Sequence, residues 1–252
     1  MNRPLFSIAT PCWNSASTIE RTIKSVLAQD FNDYEYIIVD GGSTDGTLDI
    51  IKKYEPLFEG RMKWKSERDK GIYDAFNKGV ERSNGDFCWN VNADDYMESD
   101  ALHKIANKIM KLGQKDVVLT GGMRIVNAET LEQVSVHQVE ENYAERAFNG
   151  NYMIPHPSTI VAKNIYNKYG AFDIEFKLAG DMDWFHRVYA KGVTFVPINE
   201  ILTNMTDNGI TFNMKFSSLL KERHRFYHKK YGYGMKYLLN FYQWFVKHYI
   251  LR

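Results

Sequence analysis

The first hundred residues alternate short apolar runs with amphipathic stretches, at about 25 to 30 residues per unit, and this alternation restricts the fold more than any other feature. The predicted strands are residues 5–9, 34–39, 62–65 and 87–91. Between them, Ile19, Ile23, Val26 and Leu27 recur at helical spacing, a helix is predicted over 47–54 with Leu48, Ile51 and Tyr54 on one face, and another over 71–82. Turn residues divide the runs, notably Gly41-Gly42-Ser43-Thr44-Asp45-Gly46 and Asn84-Gly85. Parallel strands need crossovers of this length, so the pattern predicts an α/β sheet covered by helices. Ser17-Thr18-Ile19-Glu20 has the spacing of a capping box, and Ser99-Asp100 is predicted to cap a helix ending near Leu112.

Open α/β sheets bind ligands beyond the carboxyl ends of their strands. Here those ends carry Thr10, Asp40, Ser66-Glu67-Arg68-Asp69 and Asn92-Ala93-Asp94-Asp95. Asp94 and Asp95 are hard oxygen donors suited to Mg²⁺ or Mn²⁺. The same two acids also serve simply to solvate a strand end, and Asp69 to cap the next helix.

After residue 112 the alternation breaks. The sequence predicts a strand over 115–120 and an antiparallel pair over 123–126 and 133–139. A rigid loop, Ile154-Pro-His-Pro-Ser-Thr159, then leads to a short strand over 159–161 and a helical turn or two over 163–168. Ala179-Gly180-Asp181-Met182-Asp183 opens a helix that buries Trp184, Phe185, Val188 and Tyr189, and a last strand covers 194–198. On an α-helix, Asp181 and Asp183 point about 200° apart, so only one of them faces a given site. Acids at a helix start are also favoured by its dipole, whatever the function. His186 is read as a partly buried packing histidine rather than a metal ligand. His224 and His228 have zinc-ligand spacing but no third partner, and are read as part of a solvated face.

Composition separates the last forty residues from the rest. The chain carries 32 basic and 31 acidic residues, 44% hydrophobic and 25% charged, as a globular protein does. This balance points to no nucleic-acid partner. From residue 215 onward, nine Lys/Arg face one acid, Glu222, a local net of +8, which leaves −7 on residues 1–214 since the whole chain carries +1. Two helices are predicted there, one marked by Phe216, Leu219, Leu220 and Phe226, the other by Met235, Leu238, Leu239, Tyr242, Phe245 and Tyr249. Aromatic rings beside cations suit peripheral contact with an anionic membrane surface; packing on the domain or in a homodimer uses the same pattern. The expected division is a domain over 1–212 and a basic, aromatic helical tail over 213–252. Cys12 and Cys88 each fall in or beside a strand, so two buried thiols are expected. The first residues do not form a signal peptide and no run of about 18 apolar residues occurs, so a cytoplasmic protein is expected.

Four segments now carry a resemblance. Ser7-Ile-Ala-Thr-Pro-Cys-Trp-Asn14, Tyr36-Ile-Ile-Val-Asp-Gly-Gly-Ser-Thr-Asp-Gly-Thr47, Ser66-Glu-Arg-Asp-Lys-Gly-Ile-Tyr-Asp-Ala-Phe-Asn-Lys-Gly79 and Asn92-Ala-Asp-Asp95 follow one another in order. Over residues 5 to 200 the chain resembles the family 2 inverting glycosyltransferases, and is similar to the bacterial enzymes that build O-antigen and capsular polysaccharide. The resemblance implies a GT-A fold, a nucleotide-sugar donor, a divalent metal (Mn²⁺ or Mg²⁺) and a glycan or lipid-linked acceptor. It implies that Thr10 and Pro11 line the base pocket, that Asp40 and Asp69 lie beside the nucleotide, and that Asp94 and Asp95 hold the metal. It further implies that Asp181 is the catalytic base and that the loop at His156 lies near acceptor and diphosphate. The chain departs from the family pattern at Gly41, where a second acid is expected to bond the uracil edge, and at Asn92, where the metal motif starts with an acid.

Breaking the bond to a nucleoside diphosphate needs neutralisation of the leaving group, which a metal supplies. The acceptor hydroxyl needs its proton removed, worth roughly 10² to 10⁴-fold from a placed carboxylate. One such base opposite the leaving group gives inversion. The expected activity is therefore metal-dependent transfer from a nucleotide sugar, UDP foremost, in surface polysaccharide synthesis. Transfer to polyprenyl phosphate needs no base and is the nearest rival. A nucleotide-sugar nucleotidyltransferase lacks its Gly-rich phosphate loop here, and a non-catalytic nucleotide binder would not need Asp181. The chain contains no G-x-G-x-x-G after its first strand, no G-x-x-x-x-G-K-[ST] and no G-x-S-x-G, which disfavours dinucleotide, P-loop and α/β-hydrolase chemistry.

Overall fold

The computed structural model describes residues 3–113, 115–150, 152–209, 215–232 and 242, the side chains of Phe216 and Tyr231 excepted. The second predicted tail helix, Tyr242 apart, lies outside the described residues.

The first half follows the alternation. Strands β1 (Phe6–Cys12), β2 (Tyr34–Asp40), β3 (Met62–Ser66) and β4 (Phe87–Asn90) interleave with helices α1 (Ile19–Leu27), α2 (Thr47–Tyr54) and α3 (Ile72–Arg82). All pairings among these strands are parallel. Every residue of β1, β2 and β4 is buried, as expected when helices cover both faces. Successive side chains divide between the faces. Phe6, Ile8, Tyr36 and Ile38 join the main core with α1 and α2, while Ala9, Ile37 and Val39 pack with Ala75 of α3.

The second half is mixed. It contains β5 (Tyr96–Met97), α4 (Ala101–Leu112), β6 (Val117–Val126), β7 (Gln133–His137), α5 (Tyr143–Phe148), β8 (Thr159–Ala162), α6 (Lys163–Tyr169), α7 (Gly180–Tyr189), β9 (Thr194–Thr206) and α8 (Phe216–Tyr231). The sheet order is β3-β2-β1-β4-β8-β6-β9-β5, with β7 paired to β6. Strand β8 is antiparallel to both β4 and β6, and β9 runs parallel to β6.

Several expectations are corrected here. The strands expected over 115–120 and 123–126 are one strand, β6, continuous through Gly121-Gly122. The last strand is far longer than 194–198: β9 shifts register opposite Gly121 and Gly122 and continues to Thr206. Its outer half, Glu200-Ile-Leu-Thr-Asn-Met, mixes polar and apolar residues and has no strand period until β6 is beside it. The capping box does not form. Thr18 makes no side-chain cap, and Glu20 instead accepts from Tyr54 and Lys53 of α2. Helix α5 was not expected at all. Cys12 and Cys88 are free and buried, as expected. No helix among the described residues is long and apolar enough to cross a membrane.

Candidate active site

Register brings the first strand ends together. Cys12 pairs with Asp40, and Asp40 with Ser66, so the carboxyl ends of β1, β2 and β3 lie side by side. Asp40 is fully buried. Its carboxylate accepts from the Gly42 and Ser43 amides, each 3.0 Å, from the Ser66 hydroxyl at 2.6 Å and from the Ser43 hydroxyl. Burial by itself would raise its pKa, but the hydroxyls of Ser43 and Ser66 and the two amides together outweigh it and hold the carboxylate below its ordinary 3.8. Asp40 therefore shapes the turn and presents no surface of its own.

Strand β1 runs two residues past Thr10, which moves its exposed end. Thr10 and Pro11 are buried, and the Thr10 hydroxyl accepts from Tyr36 at 3.1 Å. The side chain presented at this strand end is Trp13, 66% exposed. Next to it, Gly41 has a structural reason. A Cβ there would lie 2.6 Å from Asp69 Oδ2 and 3.3 Å from Trp13 Cβ. The Asp69 carboxylate thus occupies the volume of the missing second acid. Its other oxygen accepts from the Gly71 amide at 2.9 Å, just before α3. Both readings of Asp69 apply: one oxygen holds the helix start, and the other lies over Gly41.

Beyond β4, Asp94 and Asp95 have unlike surroundings. Asp95 is 1% exposed, and its carboxylate accepts from Asn92 Nδ2 at 2.9 Å and the Thr206 amide at 3.3 Å. Asp94 is only partly buried, and the Arg21 guanidinium donates to its carbonyl at 2.7 Å. Burial raises the pKa of both, most for Asp95, to which the Asp94 charge adds. Among the described residues no three His, Cys, Asp or Glu gather as a metal cage. The donor set still fits a hard divalent cation of the kind that one or two carboxylates share with phosphates and water. Asp94 offers the accessible oxygens, and Asp95 with Asn92 backs it. A cation would also relieve the two crowded acids.

Asp181 lies in the first turn of α7. Its Oδ1 accepts from the Tyr73 hydroxyl at 3.1 Å and the Met182 amide at 2.8 Å. No donor among the described residues reaches Oδ2. A Cβ on Gly180 would lie 2.8 Å from the Tyr73 ring, so glycine lets the ring reach the helix start. Asp183 points elsewhere, to Arg187 at 3.1 Å and Lys229 at 3.2 Å, as the helical angle requires. His156 packs on Phe76 with ring centroids 4.7 Å apart. Burial lowers its pKa, and the charge of Asp181 pulls it partly back, so the ring is neutral near pH 7 beside that carboxylate. His186 packs against Phe148 and Phe226, and burial pushes its pKa down to about 3.

Trp13 and Tyr73 were not singled out in the sequence, although both lie inside the quoted motifs. Exposure distinguishes the first and a contact across 108 positions the second, and neither is visible in one dimension.

Parallel strand ends that carry the Asp40 turn, joined to a mixed half with an acid at a helix start, make up the fold of the GT-A class. Solved structures of that class have this fold. Staphylococcus aureus TarS 1–349, in complex with UDP-GlcNAc, superposes with a TM-score of 0.73 at 19% identity, over 96% of this chain and 73% of TarS 1–349. The chain spans 44% of a longer TarS structure. A mannosyltransferase from Pyrobaculum calidifontis, with GDP-Man and Mn²⁺, gives 0.68 at 16% identity, over 93% and 66%. The chain belongs to glycosyl transferase family 2, whose model matches residues 7–170. An uncharacterized glycosyltransferase of Mycobacterium tuberculosis is 27% identical over 92% of this chain and 87% of its own length. The putative teichuronic acid biosynthesis glycosyltransferase TuaG of Bacillus subtilis is 40% identical over 102 residues, 40% of each chain.

Proposed function

We propose that this glycosyltransferase moves a sugar, with inversion, from a UDP-sugar to a hydroxyl of a growing surface glycan. The observation that carries the proposal is Asp181: one oxygen is fixed by Tyr73 and a backbone amide, and no donor among the described residues holds the other. In this reading Oδ2 takes the acceptor's proton as the hydroxyl attacks the anomeric carbon. Neutral His156 beside it does not compete as a cation. The Asp69 carboxylate accepts from the N3–H of uracil in place of an acid at 41, and Trp13 offers a face for the ring to stack on. Asp40 keeps the turn in shape behind them. Asp94, backed by Asp95, holds Mn²⁺ or Mg²⁺. That ion, when bound, neutralises charge on the departing diphosphate. UDP is favoured because the TarS structure, similar in fold, holds UDP-GlcNAc. TuaG, similar over part of its length, supports a surface polysaccharide as product.

The basic, aromatic tail over 213–252 supports an acceptor carried on lipid at the cytoplasmic face of the membrane. Asp181→Asn is expected to lower the transfer rate by roughly 10² to 10⁴-fold, with the donor KM little changed. Steady-state kinetics with a glycan acceptor measures this. An unchanged rate would overturn the base assignment and favour a phosphate acceptor, which is nucleophilic without help.

A further inference from the structure

Helix α7 (Gly180–Tyr189) is entered through Lys177-Leu178-Ala179, three residues with no side-chain acceptor, and its N-cap Ala179 makes no side-chain cap. Amides just ahead of a helix find no partner inside it and need an acceptor from elsewhere. It comes from the tail. Glu222 Oε2, on α8, accepts from the amides of Lys177 and Leu178 at 3.1 Å each and of Ala179 at 3.3 Å. One carboxylate thus holds three consecutive amides from 43 to 45 positions away. Glu222 is 7% exposed, so solvent screens this contact little. It is also the one acid in a stretch with nine Lys/Arg.

Further contacts fasten the same segment. Lys229 reaches Asp173 at 2.7 Å and Asp183 at 3.2 Å, and Arg225 donates to the Glu175 carbonyl. Phe226 and Tyr227 bury themselves in the core. On the opposite side, Asn77 of α3 exchanges two hydrogen bonds with the backbone of Phe172, each 2.8 Å, and Tyr73 meets Asp181. The segment over 172–183 is therefore held from α3 on one side and α8 on the other.

We propose that Glu222 is a positioning residue for Asp181. By holding the three amides that lead into α7 it fixes the chain from which the Asp181 carboxylate projects two residues later, so the tail helix sets the geometry of the base. This rests on the reading of Asp181 as general base. A base moved by about 1 Å loses on the order of 10²-fold in rate, so release of this contact is felt in turnover before it is felt in nucleotide binding.

The test compares Glu222→Met, which keeps the length but accepts nothing, with Glu222→Gln, which keeps an acceptor oxygen. Hydrogen exchange reads positioning directly. UDP release with Mn²⁺, from whichever of UDP-glucose, UDP-galactose and UDP-N-acetylglucosamine the wild type turns over, reads its effect. In Glu222→Met, exchange at Lys177, Leu178 and Ala179 is expected to quicken about tenfold or more, and kcat to fall about tenfold or more. The donor KM and the melting shift caused by UDP are expected to stay as in wild type, and Glu222→Gln to recover most of the rate. Wild-type exchange at those three amides, a wild-type kcat in Glu222→Met, or loss of UDP affinity in proportion to rate would each overturn the proposal. Asp181→Asn is measured beside them. An unchanged rate in that variant overturns the base reading itself, whereas a slow Asp181→Asn with a fast Glu222→Met overturns only the role of Glu222.

Discussion

Asp40 and Gly41 adjoin in sequence and act at opposite ends of the physical range. Asp40 spends its charge inside the turn. Asp40→Ala leaves two amides and two hydroxyls without their acceptor, and is expected to cost about 2–4 kcal/mol, read from urea midpoints. The pH dependence has a definite sign. The folded pKa is below the ordinary 3.8, so the stabilisation is fully present above 3.8 and is lost as pH falls through the lower folded value. The stability gap between wild type and Asp40→Asn is therefore expected to be widest at neutral pH and to shrink below 3.8; a constant gap would mean that the charge contributes nothing. Gly41 acts through the space it leaves. Gly41→Ala sets a Cβ against the end of Asp69, a side chain that can swing away. Stability is then expected to change by less than about 1 kcal/mol. UDP affinity, measured by calorimetry, should fall about tenfold as an aligned hydrogen bond is lost.

At the scale of elements, the proposed chemistry depends on where α3 and α7 meet. Gly180 is the contact point: an added Cβ lies 2.8 Å from one atom of the Tyr73 ring and 2.9 Å from two more. An aromatic ring between Phe76 and Phe172 has little room to retreat. Gly180→Ala is thus expected to cost about 1–3 kcal/mol by overpacking and to lower kcat, because the Tyr73 hydroxyl leaves Asp181. Thermal melts and kinetics on one preparation check both. The strands and helices of the first half were legible because each is a short local pattern; the helix expected over 47–54 ends where α2 ends. The outer half of β9 was not, because its partners Met123 to Val126 are eighty positions earlier and supply the pairing that its own composition does not.

The whole molecule joins a parallel half that would bind nucleotide to a mixed half that would act on the acceptor, and stability reports on that joint. A ligand that binds only the folded protein at about 100 times its dissociation constant adds roughly 2.7 kcal/mol. UDP with Mn²⁺ is expected to raise the melting temperature more than UDP alone. Asp94→Ala should remove the Mn²⁺ increment and keep the UDP increment. Equal Mn²⁺ increments in both proteins would assign the metal to other residues. The tail belongs to this scale too. Its first helix is docked on the body through Glu222, Phe226 and Tyr227, and so is more than a basic appendage.

The sequence by itself determined the α/β class, the parallel first half, the buried thiols and the family, because all of these reside in short patterns and ordered motifs. It also placed Asp181 at a helix start and turned Asp183 away from it, since helical geometry alone requires that. Tertiary structure decided what each acid does. Asp40 and Asp95 turned out to be buried and to accept hydrogen bonds, Asp69 fills the gap at Gly41, and Glu222 holds the entry to a helix more than forty residues earlier. A carboxylate's role depends on which donors and how much water surround it, and those are set by chain crossings that no local spacing encodes.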